Sequence, residues 1–336
     1  MILTRTPFRM SFVGGGSDLP SYYKEKGGAV LSTSIEKYMY ITLNKKFDDD
    51  IRLSYSITEN TSSMEQIKHP IVRNALQLLN IQGGIEITSI SDISSKGSGL
   101  GSSSSYTVGL LHALYEFQGK NVSKEELGRL SSHIEIDLCG DRIGKQDQYA
   151  AAFGGLNVIE FNQDDTVDVK PIKCKQETIQ KLEESIIVFY TGRTRSASVI
   201  LNNQSDNMKQ ASKQELMSEM VSLVYEMKSL LESDQVELVG ELLHKNWRLK
   251  CQMAKGITDP EIDEWYNKGM YSGATGGKLL GAGNGGFIMF FAPKERHKDI
   301  EKSLTDLKKV SFTFDSAGSK LLFSDKNILK NEQSNK

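Results

Sequence analysis

In the first third of the chain, apolar and polar positions alternate in short runs. In Tyr38-Met39-Tyr40-Ile41-Thr42-Leu43 the side chains of Met39, Ile41 and Leu43 share one face, which predicts a half-buried antiparallel strand. Runs rich in β-branched and aromatic residues at 8–13, 29–34, 37–44, 51–56 and 85–93 predict further strands, separated by turn chemistry such as Gly14-Gly15-Gly16, Gly27-Gly28 and Asp48-Asp49-Asp50. After the strand at 85–93 the period changes. A glycine- and serine-rich loop comes first, and then Val108, Leu111, Leu114 and Tyr115 recur at helical spacing. Helices follow at 124–136 and 146–153, the second stopped by Gly154-Gly155. Beyond residue 176 the pattern predicts an amphipathic helix start, a strand at 186–190 and long helices at 209–232 and 235–253. Thr258-Asp259-Pro260 then caps a further helix. A strand at 287–291, a helix at 294–307 and a last strand pair at 310–314 and 320–323 complete the chain, with a polar, frayed tail at 326–336. Strands segregated from helices in mixed order predict an α+β protein of two domains, 1–175 and 176–325.

Composition changes this picture little but excludes several partners. The 336 residues are 38% hydrophobic and 25% charged, an ordinary globular balance with room for two domains. Lys plus Arg number 41 against 43 Asp plus Glu, and no block of like charge forms a footprint for nucleic acid or an anionic membrane. Residues 1–13 are broken by Arg5, Pro7 and Arg9, and no apolar run approaches about 18 residues, so a soluble, cytoplasmic protein is expected. Cys139, Cys174 and Cys251 are odd in number and far apart, which suits reduced thiols, and no CxxC or HxxxH pair suggests a structural metal.

The candidate chemistry begins with Gly97, Ser98, Gly99, Leu100, Gly101, Ser102 and Ser103, where a strand gives way to a helix. Successive backbone N–H groups and the positive helix end favour phosphate there, and the hydroxyls can donate to it or reach a magnesium ion bridging two phosphates. The string is not a Walker P-loop, which requires G-x-x-x-x-G-K-[ST]. Gly281, Gly283 and Gly286 match G-x-G-x-x-G, but the match runs into a strand instead of opening a helix, which excludes a dinucleotide fingerprint. Such glycine density still implies close backbone approach to a neighbouring domain or a ligand. Glu135 and Asp147 flank residues 138–144, one ending a helix and the other starting the next. One carboxylate could ligate a hard cation and the other accept a proton, although the spacing alone also fits two solvated acids. Arg9, Arg142 and Lys145 lie near glycine turns. No serine–histidine–acid order is readable around His133, and Trp247 and Trp265 read as core.

Together, the loop at 97–103, the segment 135–147 and the turn at 276–286 resemble, in order and spacing, the three motifs of the GHMP kinases, and the likeness extends from Arg5 to about Phe323. Residues 5–18 and 276–286 resemble most closely the branch of that family acting on heptose phosphates. The resemblance implies a ribosomal-protein-S5-like N-terminal α+β domain and a ferredoxin-like C-terminal domain, with ATP and substrate in the cleft between them. Residues 97–103 would wrap the triphosphate, Ser103 and Glu135 would hold Mg²⁺, and Asp147 would be the base. Arg9 would stand by the transferring phosphate, with Lys145 also in the catalytic group. Gly15, Gly16, Ser17 and Asp18 would meet the sugar, Asp18 through a hydroxyl, and Gly281, Gly283, Asn284 and Gly285 would line the site from the other domain. Two departures stand out. Ser95 replaces a proline common at the start of the loop, and Gly15-Gly16 replace the Glu-His of galactokinases, which argues against galactose. Two glycines vacate volume for a seventh carbon and its phosphate, which Arg193 and Arg195, or Lys145, would hold. The activity so implied is γ-phosphoryl transfer from ATP to the anomeric hydroxyl of a heptose 7-phosphate, giving the 1,7-bisphosphate for nucleotide-activated heptose synthesis. The expected partners are a small phosphosugar and ATP. A fucose- or galactose-type sugar 1-kinase, or a non-catalytic binding relative, are the alternatives, and the presence of Ser103, Glu135 and Asp147 speaks against the last.

Overall fold

The computed structural model describes residues 1–93, 97–193 and 197–325. Its spine is β1 (Ile2–Val13), paired along its length with β2 (Gly28–Lys45), and the short helix α1 (Pro20–Lys26) lies between them in sequence. The runs at 29–34 and 37–44 are one strand of 18 residues, not two. The polar pair Glu36-Lys37 that interrupts the sequence pattern is a bulge: Pro7 pairs with Tyr38 and Phe8 with Ile35, so two residues of β2 are left over where proline has no N–H to offer. Next come β3 (Ile51–Ser54), β4 (Thr58–Thr61), α2 (Pro70–Leu78) and β5 (Ile85–Ser91). They are followed by α3 (Ser102–Phe117), α4 (Lys124–Ser132), α5 (Gln146–Phe153), β6 (Leu156–Phe161) and β7 (Val167–Pro171). The proline-led helices α1 and α2 interrupt what the sequence presents as a run of strands.

The second unit contains α6 (Gln176–Glu184), β8 (Ile186–Tyr190), α7 (Ala197–Asn207), α8 (Ala211–Glu232), α9 (Val239–Cys251), α10 (Pro260–Tyr271), β9 (Gly276–Leu279), β10 (Phe287–Phe291), α11 (His297–Ser303) and β11 (Lys308–Val310). Its four strands form an antiparallel sheet in the order β11-β8-β10-β9. The chain then returns to the first sheet through β12 (Phe314–Asp315) and β13 (Lys320–Ser324). That nine-stranded sheet runs β13-β1-β2-β5-β3-β4, with β6 and β12 also on β2 and β7 on β6. The expected last strand pair is therefore not a pair. Strand β12 hydrogen-bonds β2 and β13 hydrogen-bonds β1, so the end of the expected unit 176–325 belongs structurally to the first sheet.

Helix α3 lies on β1 and β2, while α8 and α9 touch β1 from the other unit and α9 also covers β9 and β10. One continuous apolar core joins the two sheets, and Trp247 and Trp265 lie in it as expected. No helix among the described residues is long and apolar enough to cross a membrane.

Candidate active site

A cavity of about 270 Å³ opens between the units, lined by the glycine loop, the start of α3, the N-terminus of α5, the turn after β1 and parts of α9 and β9. Gly97, Gly99 and Gly101 all have positive φ, and Gly101 directly precedes the first turn of α3. The loop thus delivers the helix N-terminus to the cavity wall, where orphan N–H groups favour an anion. Behind it lies the turn at 281–286. A Cβ at Gly99 would stand 2.5 Å from Leu280 O, and one at Gly281 would stand 2.6 Å from the Gly99 Cα. The two glycine-rich segments are pressed backbone to backbone, which is the close approach that their glycine density implies.

Strand β1 places Arg9 at the cavity, 5% exposed, and its backbone N–H donates to Leu100 O at 3.0 Å. Its guanidinium grips Asp147 in a two-point pair, Nε to Oδ1 at 2.7 Å and Nη2 to Oδ2 at 2.9 Å, while Nη1 donates to Gly99 O at 2.7 Å. Asp147 reaches this point from the first turn of α5, where the helix end itself favours a carboxylate. One arginine thereby ties Asp147, the loop and the strand together.

Glu135 lies on a π-helical turn, His133–Leu138, that continues α4, and it is fully buried. Ser103 Oγ and Ser104 Oγ each donate to it at 2.8 Å, and Gln148 Nε2 donates at 2.6 Å. Burial pushes its carboxyl up to about 7. The three hydrogen bonds oppose that shift and the nearby Asp147 adds to it. Gln148 Oε1, also buried, has no partner among the described residues. Asp18 is buried too. Its Oδ1 accepts from Gly16 N at 3.0 Å, and its Oδ2 accepts from Gln146 N at 3.2 Å and Gln146 Nε2 at 3.1 Å. The carboxyl rests on Gly144, where a Cβ would come within 1.8 Å of Oδ2. Burial, and then Asp147, raise its pKa above the ordinary carboxylate value.

Gly15, Gly16, Asp18, Arg9, Asp147, Ser103 and Gly281 are thus brought together at the cavity, and Glu135 lies beneath it. Other expected residues are placed elsewhere. Lys145 Nζ is 2.7 Å from Asp165 Oδ1 and sits over the Tyr23 ring, in a separate surface groove. Lys145 precedes α5 and lines that groove, whereas Asp147, two residues on, lines the cavity. Leu100 is a core residue whose carbonyl accepts from the Arg9 backbone, and the Ser17 hydroxyl is used by the Ala29 backbone. Arg193 is paired with Asp259, Nη2 to Oδ2 at 2.5 Å, and with Glu261 at 3.0 Å. Gly283, Asn284 and Gly285 pack on Ile257 and Arg193 instead of on the cavity, with Asn284 N donating to Ile257 O at 2.9 Å. Asp259 caps α10 through Ile262 N, and the arginine it attracts is held in this knot of turns. Arg195 lies outside the described residues, as does Ser95.

Two lysines that the sequence reading missed stand in the wall of the cavity. Lys250, from α9, donates to Gly15 O at 3.0 Å and to Gln204 Oε1 at 3.3 Å, and Lys278, from β9, donates to Phe12 O at 3.0 Å. A signal for both was present in the sequence. Lys250 continues the buried face of α9 set by Leu243, Asn246 and Trp247, and Lys278 interrupts a strand that is otherwise Gly and Leu.

A helix start that favours an anion, directly beside an arginine-braced carboxylate in one pocket, suits a phosphotransferase with an alcohol acceptor, and comparison with known proteins agrees. The family models "GHMP kinases N terminal domain" and "GHMP kinases C terminal" match residues 67–155 and 227–308. The chain is 30% identical over 315 residues to a D-glycero-alpha-D-manno-heptose 7-phosphate kinase of Campylobacter jejuni, covering 90% of this chain and 93% of that one. The crystal structure of a D-glycero-D-manno-heptose 1-phosphate kinase from Bacteriodes thetaiotaomicron superposes with a TM-score of 0.80 at 26% identity, covering 97% of this chain and 100% of that one. Galactokinase of Lactococcus lactis, at 17% identity and a TM-score of 0.74 over 95% of this chain and 94% of its own, shares the fold. The protein belongs to the GHMP kinase family and is a sugar kinase of the two-domain GHMP fold.

Proposed function

We propose that the protein transfers the γ-phosphoryl group of ATP to the anomeric hydroxyl of D-glycero-D-manno-heptose 7-phosphate, giving the 1,7-bisphosphate and ADP. The observation that carries this reading is the Arg9–Asp147 pair held against the glycine loop in a cavity whose sugar-side wall is two glycines and a buried Asp18. In such a transfer the sugar O1 forms a bond to Pγ, the bond from Pγ to the β,γ-bridging oxygen breaks, and the hydroxyl proton passes to Asp147. The protein contributes mainly position and charge. Arg9 fixes the Asp147 carboxylate and places a guanidinium beside the phosphoryl oxygens as charge gathers there. Asp18, with its oxygens already oriented by Gly16 and Gln146, accepts from a sugar hydroxyl.

Mg²⁺ suits the residues beside the loop: a buried carboxylate, two hydroxyls and an unpartnered amide oxygen at Gln148 are hard oxygen donors. Ser103 and Glu135 would hold it, and when bound the ion would neutralise charge on the nucleotide phosphates. The heptose assignment is supported by the similarity to the Campylobacter jejuni relative and by the open face of Gly15, where a Cβ would meet only Ser11 Oγ at 3.7 Å, whereas Gln204 already fills the corresponding space at Gly16. ADP release measured on heptose 7-phosphate, unphosphorylated heptose, fucose and galactose tests it. Highest kcat/KM on the 7-phosphate is expected, and a preference for an unphosphorylated hexose would overturn the heptose assignment while leaving a kinase.

A further inference from the structure

Two cationic side chains in the wall of the cavity have no ion-pair partner among the described residues and are not used by the transfer chemistry. Arg9 is matched by Asp147, but Lys250 and Lys278, 6% and 4% exposed, form no ion pair with any carboxylate among the described residues. An ammonium carries three N–H donors. Among the described residues Lys278 has one acceptor, Phe12 O, and Lys250 has two, Gly15 O and Gln204 Oε1. Two further donors in the same region are buried without a partner among the described residues: Gln204 Nε2, which lies against Gly16, and Ser11 Oγ, which lines the cavity. Burying unpaired cations and donors costs stability, and such groups persist where a ligand completes them. The Asp18 carboxyl is the main negative charge acting on Lys250, and its oxygens already accept from Gly16 and Gln146. Burial holds both lysines below their ordinary pKa, and each is depressed further by the positive neighbours around it, among them Arg9.

We propose that Lys250 and Lys278, with Gln204 and Ser11, form a subsite for the phosphomonoester of the acceptor sugar. The proposal rests on the acceptor being a phosphorylated sugar. It reassigns the anion contact from Arg193, which carboxylates already occupy, to groups whose donors are free. The placement suits a substrate that spans two ends. Arg9 and Asp147 mark the reacting end, whereas the carbonyls that anchor the lysines, Phe12 and Gly15, lie three and six residues further along the chain, about 10 Å away for the first at β-strand rise. A dianion there would supply the missing negative charge and the missing acceptors together. It would hold both lysine amines in the protonated form.

Binding of inorganic phosphate to the protein saturated with a non-hydrolysable ATP analogue tests the subsite without presuming which sugar is used. One phosphate beyond the nucleotide is expected. Lys250→Met and Lys278→Met should each weaken it at least 10-fold with the analogue's affinity changed less than 3-fold, and Lys250→Arg should retain most of it. In parallel, Lys250→Met should lower the ratio of kcat/KM for heptose 7-phosphate over heptose by at least 10-fold, which a mere strut holding Gly15 and Gln204 would not do. No phosphate bound by the parent, equal phosphate binding by parent and Met variants, or loss of the analogue instead of phosphate would overturn the subsite. Phosphate binding that follows the lysines in an enzyme inert toward heptose 7-phosphate would instead retain the subsite and remove the heptose reading. Should Lys250→Met fail to fold, Lys278→Met and Lys250→Gln carry the same comparison.

Discussion

Asp147 is the residue on which turnover is expected to depend most sharply. Asp147→Asn preserves shape but leaves no basic oxygen pair, so kcat should fall by roughly 10²-fold or more while nucleotide binding changes little. Steady-state rates alongside a nucleotide titration check this, and a rate within a few-fold of the parent would remove Asp147 from the role of base. Glu135→Gln replaces the buried carboxylate beneath Ser103 by a neutral amide, so a higher Mg²⁺ concentration should be needed for half-maximal rate. A Mg²⁺ curve superimposable on the parent's would refute a metal-holding role. Lys250 makes a prediction about stability that separates binding from architecture. Its folded pKa is lowered to about 8 from 10.5, so between these values the unfolded chain binds more protons than the native one, and stability rises with pH across that window. Below about pH 8 the full cost of a buried ammonium remains. Lys250→Met should therefore raise Tm at pH 7, with Gly15 O turning to cavity water, and this gain should shrink as pH climbs from 8 to 10.5. A variant destabilised equally at both ends of the window would show that the lysine is a structural strut.

At the scale of elements, function depends on two glycine-rich segments meeting across the unit boundary. A methyl group at Gly281 would strike the Gly99 backbone and would also sit at φ +79, whereas one at Gly256, φ +85, would meet nothing within 4 Å. Comparing Gly281→Ala with Gly256→Ala thus separates the collision from the backbone strain that both share. Only the former should raise KM for ATP, by about 10-fold or more, because it displaces the phosphate loop. Equal effects would mean that the contact does not set the loop. Much of this arrangement was legible in the sequence. The strand–loop–helix order around 97–103, the two acids flanking 138–144 and Asp18 after three glycines are local patterns, and local chemistry positions them. What could not be read was long-range. Lys145 sits two residues from Asp147, yet the start of α5 sends it to Asp165, and Arg193 is captured by an Asp259 more than sixty residues later. Glu36-Lys37 look like a strand break because a bulge reads as a loop until its partner strand is known. The pairing of β12 and β13 with strands some three hundred residues earlier has no local signature at all.

That return of the chain bears on how the whole molecule holds its cleft. Residues 313–325 close the first sheet on both of its central strands: Asp325 N donates to Met1 O at 3.0 Å, Glu36 N to Thr313 O at 2.7 Å and Gly155 N to Asp315 O at 2.8 Å. Side chains fasten the same seam. Tyr38 Oη donates to Asp315 Oδ2 at 3.1 Å, and Ser319 Oγ lies 2.9 Å from both Thr6 Oγ1 and His112 Nδ1. From the opposite side α8 and α9 cover β1, and the apolar core runs through this contact without interruption. A piece comprising residues 1–175 would lack these strands and helices. It would leave the β1 edge unpaired and core residues such as Phe12 and Val13 exposed, a state prone to aggregate rather than fold. The two units should therefore unfold together. Calorimetry is expected to give one transition with matching calorimetric and van't Hoff enthalpies, and a saturating nucleotide analogue should move that whole transition upward. Two resolved transitions, or a soluble 1–175 fragment with cooperative unfolding of its own, would show that the returning strands decorate the first sheet without completing it. The cleft would then lie between independently stable bodies instead of within one cooperative fold.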